Sequence, residues 1–281
     1  MASGTGGRSH QSYRERYPRP ELARVLSCVW IHEVAGDEPA YEHRTVPNGS
    51  AEIVCVLGTG AVHVVGPKRT PVVERLPPGT TAVGLRFRPG VASAVLRTPA
   101  SELVDDDVAL DALWGASAAV IGPKLADASS PEQATALLED EVRTRWAVAD
   151  EPDPIVGEAV KRLQPWRQGH VGGAVTDLFI SSRQLRRRFG ASLGYGPKTL
   201  QRILRFQAFL ALGNDHHGDD VTLAWLASAA GYTDQAHLSH ECVRLAGLTP
   251  GTFLAEMRRS CAENHDHAAS FSSLLHALRR S

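Results

Sequence analysis

QLRRRFGASLGYGP (residues 184–197) and HLSHECVRLAGLTP (residues 237–250) decide the fold, because the second is the first moved 53 positions along the chain. Leu185 falls on Leu238, Gly194 on Gly247, Pro197 on Pro250 and Leu200 on Phe253. Upstream, Ala174 falls on Ala227 and Phe179 on Tyr232. A missed internal repeat mis-assigns a whole fold, so this offset outranks any local pattern. Over residues 171–257 each copy reads as a short apolar helix, a turn, a second helix and a Gly-x-x-Pro corner. A helix-turn-helix made twice is implied, with double-stranded DNA as its natural partner.

Charge agrees with that reading. The chain has 30 Lys and Arg against 31 Asp and Glu, but no acidic residue lies between Asp177 and Asp215. Residues 155–260 hold 13 basic and 8 acidic side chains, so the rest of the chain is net acidic. Such an asymmetry gives a basic face its own field, although a solvated helix face alone also produces one.

In the first copy Ser181-Ser182 is placed to cap a helix. Leu185 and Phe189 stand four apart and turn inward, which leaves Arg183, Arg186 and Arg187 outward. A guanidinium is a planar, two-pronged donor suited to a guanine edge or a phosphate. Ser181 and Arg188, nearer the flank, are expected on backbone phosphate. Pro197 then opens a longer helix over 198–213, roughly 22 Å at the helical rise, with Lys198, Arg202 and Arg205 along phosphates. NDHHGDD (214–220) reads as a surface loop, its adjacent His216 and His217 ill spaced for a metal. In the second copy Thr222 caps a helix that Gly231 ends, and Asp234 caps the next. There Leu238 and Cys242 turn inward. Gln235, Ala236, His237, Ser239 and His240 become the groove-facing candidates.

The first half differs in kind. VLSCVWIHEV (25–34), SAEIVCVLG (50–58), AVHVVG (61–66), TPVVERL (70–76) and TAVGLRFRP (81–89) are β-branched runs separated by Gly, Pro and Asn clusters. They imply a sandwich or small barrel able to hold one small molecule. Helical spacing begins near Gly90, at 91–103 and again at Val108–Trp114. Ser130-Pro131 then starts a helix whose stripe of Ala134, Leu137, Leu138, Val142 and Trp146 lies opposite Glu139, Asp140 and Arg143. That stripe either packs on its own barrel or forms a dimer seam. DEPDP (150–154) is the expected linker. The expected organisation is a disordered lead-in at 1–19, a β-rich sensor or dimerisation domain at 20–149 with a helical end, the linker, an all-α domain at 155–260, and a loosely docked tail at 261–281. The fold class is α+β with two domains.

Several function classes find no residues. His32, His43 and His63 lie on or near strands without the spacing of a barrel metal site, and the single His-x-His is His265/His267. No metal, cofactor or catalytic residue is assigned, and no nucleophile elbow, phosphate loop or dinucleotide fingerprint occurs. Cys28, Cys55, Cys242 and Cys261 show no Cys-x-x-Cys spacing, so a reducing cytoplasm is expected. No apolar run approaches the roughly 20 residues of a membrane span, and the polar N-terminus lacks the core of a signal peptide.

LASAAGYTDQAHLSHECVRLAGLTPGTFLAEMR (226–258) resembles the C-terminal signature of AraC/XylS-type transcriptional regulators. ISSRQLRRRFGASLGYGPKTLQRILRFQAFLAL (180–212) resembles the first helix-turn-helix of the same family. The resemblance covers about 100 residues and both copies. It implies a DNA-binding regulator without enzymatic activity, acting at the bacterial nucleoid, its recognition helices entering successive major grooves about one turn apart. It maps base reading onto Arg183, Arg186 and Arg187, and onto Gln235, Ala236, His237, Ser239 and His240. A small-molecule effector, a homodimer through the N-domain and, for an activator, RNA polymerase are the further partners it brings. PNGSAEIVCVLG, VVGP and VGLRFRPGVASAVL, followed by ALW (112–114), resemble the sensor side of an actinobacterial-looking subgroup. The second copy departs from the family pattern, with Cys242 for an aromatic, Ala246 in a bulkier position and His240 where Arg is common. The first copy is therefore expected to carry most of the affinity. Two other classes stay open at this point: a DNA-repair or modifying protein, which needs a nucleophilic Cys, and a small-molecule barrel enzyme fused to the same DNA-binding module.

Overall fold

The computed structural model describes residues 11–37, 39–165, 171–216, 221–262, 264–267 and 269–271. Residues 1–10 of the expected lead-in, His217 in the loop and the tail beyond residue 271 lie outside these. In chain order the strands are β1 (Gln11–Arg16), β2 (Leu26–Val34), β3 (Tyr41–Thr45), β4 (Glu52–Val56), β5 (Val62–Val65), β6 (Val72–Leu76), β7 (Thr81–Phe87), β8 (Asp107–Ala109) and β9 (His265–Asp266). Seven form one sheet in the order β8-β5-β4-β7-β2-β1-β9, and β3 pairs with β6 as a separate ribbon.

Period-two alternation explains why this sheet has two different faces. Val29, Ile31, Ile53, Val83, Leu85 and Phe87 point to one side and are buried in a single apolar core. Trp30, His32, Glu52, Ala82 and Arg86 alternate with them and face the ribbon. The first face is covered by α1 (Ala92–Leu96), α2 (Leu110–Trp114), α3 (Ala116–Ala126) and α4 (Pro131–Trp146). Ser130 caps α4 by accepting from the Gln133 amide, with Pro131 in its first turn. Ala134, Leu138 and Val142 of its stripe join the core. Each fully buried large apolar side chain there contributes about 1.5–3 kcal/mol. The stripe is thus spent largely inside its own domain, with Leu137 and Trp146 half-buried against the same core. Glu139, expected on the outer face, is buried. Arg16 Nη2 donates to its Oε2 at 2.8 Å and the Arg19 amide to its Oε1 at 2.9 Å, which fixes α4 against the start of the chain.

Two expectations for the chain's ends are corrected. Residues 11–16, read as disordered lead-in, form β1, paired antiparallel with β2 from Gln11↔Val34 to Arg16↔Val29. Its inward residues Gln11, Tyr13 and Glu15 are mostly polar because they face a polar region, and that gives the strand the composition of a linker. The tail, read as loosely docked, adds β9 in parallel to β1 and buries Ala269 and Phe271.

The second half is helical: α5 (Pro154–Arg162), α6 (Val171–Asp177), α7 (Ser182–Leu193), α8 (Pro197–Asp215), α9 (Leu223–Ala229), α10 (Gln235–Ala246) and α11 (Pro250–Ala262). Asp153, inside the expected linker, caps α5. α7 and α10 keep the 53-residue offset and both end on a left-handed glycine, Gly194 and Gly247. α6 and α9 are instead offset by 52, as Val171 against Leu223 shows. The left-handed residues after them, Phe179 and Gly231, share that offset. The first copy's turn is therefore one residue shorter. Phe179 is consequently 94% exposed, whereas Tyr232 is buried, so the pairing of those two aromatics is not a structural one.

The halves touch along several elements. A Cβ on Gly194 would lie 2.2 Å from Val104 Cγ2 and 2.8 Å from the Ala100 carbonyl. Glycine is required there both for its φ of 81° and for this approach. Gln207 of α8 donates to the Pro47 carbonyl at 2.8 Å. Arg44 of β3 donates to the Ala246 carbonyl of α10 and to Glu256 of α11, both at 3.2 Å.

Candidate nucleic-acid interface and internal cavity

α7 is built to present arginines. Ser181 and Gln184 form a reciprocal capping box, satisfying two amides that a helix start leaves open. Leu185, Phe189 and Leu193 are buried, which fixes the rotation of the helix. Arg183, Arg186 and Arg187 consequently face solvent, and none of them has an ion-pair partner among the described residues. Three unpaired cations on one turn and a half of helix can approach an anion without first breaking a protein contact.

α10 repeats the scaffold with a different surface. Asp234 caps it by accepting from the His237 amide at 2.7 Å, and Leu238, Cys242, Leu245 and Ala246 are buried. Gln235, Ala236 and His240 are exposed. His237 is half-buried with its ring edge-on to Tyr232 at 5.2 Å. Ser239 Oγ donates back to the Gln235 carbonyl at 2.9 Å, so its hydroxyl proton is already used.

Of the residues expected on phosphates, Ser181 and Lys198 are exposed and Arg205 is half-buried. Arg188 and Arg202 are each paired with a carboxylate. Arg188 Nη1 binds Asp153 Oδ2 at 2.6 Å, tying α7 to the α5 cap. Arg202 Nε binds Glu241 Oε2 at 2.5 Å, joining α8 to α10 from a largely buried position. A guanidinium spent on a carboxylate fixes helix placement and is a poor phosphate ligand. Phe179, projecting two residues before the α7 cap, is a surface feature that alternation and periodicity could not flag, since only its left-handed backbone exposes it.

Behind these helices the N-terminal domain holds a cavity of about 520 Å³ between the large sheet and the β3–β6 ribbon, reached by Gln207, Ser270 and Phe271 from the second half. Its floor is a closed polar network. Arg86 Nε donates to Glu52 at 2.8 Å and Nη1 to Glu15 at 3.2 Å. Glu52 also accepts from Trp30 Nε1 and Asn48 Nδ2, each at 2.7 Å. Glu15 accepts from the Tyr13 hydroxyl, the Ser270 hydroxyl and the Ser270 amide, each at 2.8 Å. The indole of Trp30 lies where a Cβ on Gly84 would be, 2.3 Å away, so only glycine at 84 admits it.

Burial raises the Glu15 carboxyl, but His267, Arg86 and Ser270 outweigh it and hold it near 2. Burial, reinforced by His43, His265 and His267, lowers His32 to about 3. It also lowers His43 to about 4, against the pull of Glu52. Burial pushes the thiols up, Cys28 to about 12, Cys55 to about 11 and Cys242 to about 12. None of the three is a thiolate near neutral pH, the form a nucleophilic cysteine needs. Sequence reading missed this floor, although a charged residue at alternate positions of otherwise apolar strands (Glu52, Arg86) was its visible signal. No group of three or more metal-ligating side chains is assembled among the described residues, and no described helix is long and apolar enough to cross a membrane.

Residues 14–109 match a family model described as a domain of unknown function, DUF6597, and residues 175–256 match one described as a helix-turn-helix domain. A protein of Streptomyces lividans described as an AraC-like transcription regulator is 32% identical over 103 residues. That match takes in 36% of this chain and spans about a third of the relative, 33% of its length. Among solved structures, apo ToxT of Vibrio cholerae aligns over 85% of this chain and 99% of its own, at 12% identity and a TM-score of 0.46. Unsaturated fatty acid-bound ToxT of the same organism aligns over 87% and 94%, at 9% identity and a TM-score of 0.39. Its tandem of capped helices thus lies in the segment that matches a helix-turn-helix domain, and the chain is similar in sequence, over 103 residues, to an AraC-like regulator.

Proposed function

We propose that the protein is a transcription regulator that binds double-stranded DNA through α7 and α10 and responds to a small molecule held in the N-terminal cavity. The observation that carries this is the α7 face, where Arg183, Arg186 and Arg187 are exposed and unpaired among the described residues. In this reading those three arginines, with Gln235, Ala236 and His240 and more weakly His237 and Ser239, face base edges. Ser181, Lys198 and Arg205 contact phosphate. The reading assigns no reaction to the chain and places it on the nucleoid, in the cytoplasm. RNA polymerase is a partner if the protein activates, and any homodimer uses a surface of the N-domain other than the α4 stripe.

A route from cavity to DNA is supported by β3. His43 lines the cavity, and Arg44, the next residue, holds the C-terminal carbonyl of α10. A ligand that shifts this strand moves the end of a recognition helix. Selection of bound DNA from a random pool at fixed salt tests the assignment. Enrichment of a two-part site with elements about 10 base pairs apart is expected, and absence of enrichment would sink it. Arg187→Ala should cost about 1–3 kcal/mol on the selected site, read by titration against the unchanged duplex.

A further inference from the structure

We propose that the cavity takes an amphipathic amine, with the apolar part against the valine walls and the donor head at Glu52 and His43, and that it turns away carboxylates. This rests on reading the cavity as the effector site. Its size falls in the usual range for a small-molecule pocket of roughly 300–1,000 Å³. The walls at Val46, Val54, Val56, Val65 and Val72 are apolar, so burial of a hydrocarbon part supplies the non-specific share of binding.

The charges decide the head. Arg86 is the cation of the floor, and it is flanked by two carboxylates, Glu15 and Glu52. Arg44 is taken by Glu256, and Lys68, at the exposed rim, donates to the Asp106 carbonyl. His63 lies against Asp107 and His267 beside Glu15. Among the described residues no cation of the floor is therefore left without a carboxylate, and an anion brought there would lose its hydration without a compensating partner. Lys68, the lining cation without an ion pair among the described residues, lies at the exposed rim. Acceptors, in contrast, remain. Glu52 Oε2 accepts only from Trp30 among the described residues, and a carboxylate oxygen can take more than one donor. His43, held uncharged by burial, touches His32 and Tyr41 ring to ring but has no hydrogen-bond partner among the described residues. An ammonium donates up to three hydrogen bonds and brings the charge the floor lacks.

The test compares n-octylamine, n-octanol and n-octanoate at equal concentration near neutral pH, in the absence of DNA, by thermal shift and by tryptophan fluorescence. Octylamine should raise the melting temperature and bind at least about tenfold more tightly than octanoate, with octanol between them. Val54→Trp, which narrows the cavity from the wall beside Trp30, should abolish the octylamine effect. Equal or tighter octanoate binding overturns the proposal. So does failure of octylamine to bind, or octylamine binding that survives Val54→Trp. A protein that selects a DNA site but ignores octylamine loses only this ligand class. One that binds octylamine but selects no DNA keeps the cavity and loses the regulator.

Discussion

The buried histidines make the N-terminal domain acid-labile in a definable window. His32 and His43 are held near 3 and 4 in the fold, while an unfolded histidine titrates near 6.5. The unfolded chain therefore takes up protons first. Stability is full above about pH 6.5 and is lost as the pH falls towards 4. At pH 5 the loss should be on the order of 2 kcal/mol for His32 alone, seen as a lower melting temperature than at pH 7.5. Glu15, held near 2, adds its own loss only below about pH 4.5. His32→Gln should remove its share of the histidine part of the profile, and a profile unchanged by it would show that the ring titrates alike in the folded and unfolded chain. At this scale the sequence shows which residues are titratable but not which are desolvated. His32 and His43 looked like any histidines on strands until Tyr13, Tyr41 and His265 closed around them.

Helices announced themselves more clearly than strands. α7 and α10 carry a capping side chain, an apolar stripe and a glycine stop, and α4 the first two, local signals that agree. α3 was not legible, because Ala116–Ala126 is apolar on most sides and includes Gly122 and Pro123, so no stripe stands out. β1 was hidden by its inward polar residues. Among the arginines the sequence separated inward from outward positions on α7, yet could not see that Arg202 meets Glu241 from another helix. The two readings of Arg202 predict different experiments. As a structural pair with limited exposure, Arg202→Ala should cost about 2–3 kcal/mol of stability, since it leaves Glu241 partly buried and unmatched. Arg202→Met combined with Glu241→Leu should recover much of that loss in denaturant titration. A phosphate contact would instead leave stability unchanged and lower DNA affinity alone.

For the whole molecule, Phe271, like Val46 from the other side, is a side chain that belongs to both halves. It lines the cavity and packs into the core of the helical domain. Phe271→Ala should therefore cost about 3 kcal/mol, measured by thermal unfolding, whereas a loosely attached tail predicts no change. The two-domain division and the tandem motif were readable from the repeat and from the change of periodicity. How the halves join was not, because the contacts of Arg44, Gln207 and Gly194 lie between residues up to 212 positions apart, and no local pattern encodes such pairs.

The parallel pairing of β9 with β1 also has a consequence for the order of synthesis. Glu15 receives the amide and hydroxyl of Ser270, made 255 residues later. While the intervening residues are being made, β1 is an open sheet edge and its Glu15 carboxylate is short of two donors. Domains fold as they appear, first residues first, but this one is completed by residues that follow the second helix-turn-helix. The cavity's floor acquires its final form only after the helices proposed to read DNA have been made, so a nascent or shortened chain would hold the cavity without its finished floor.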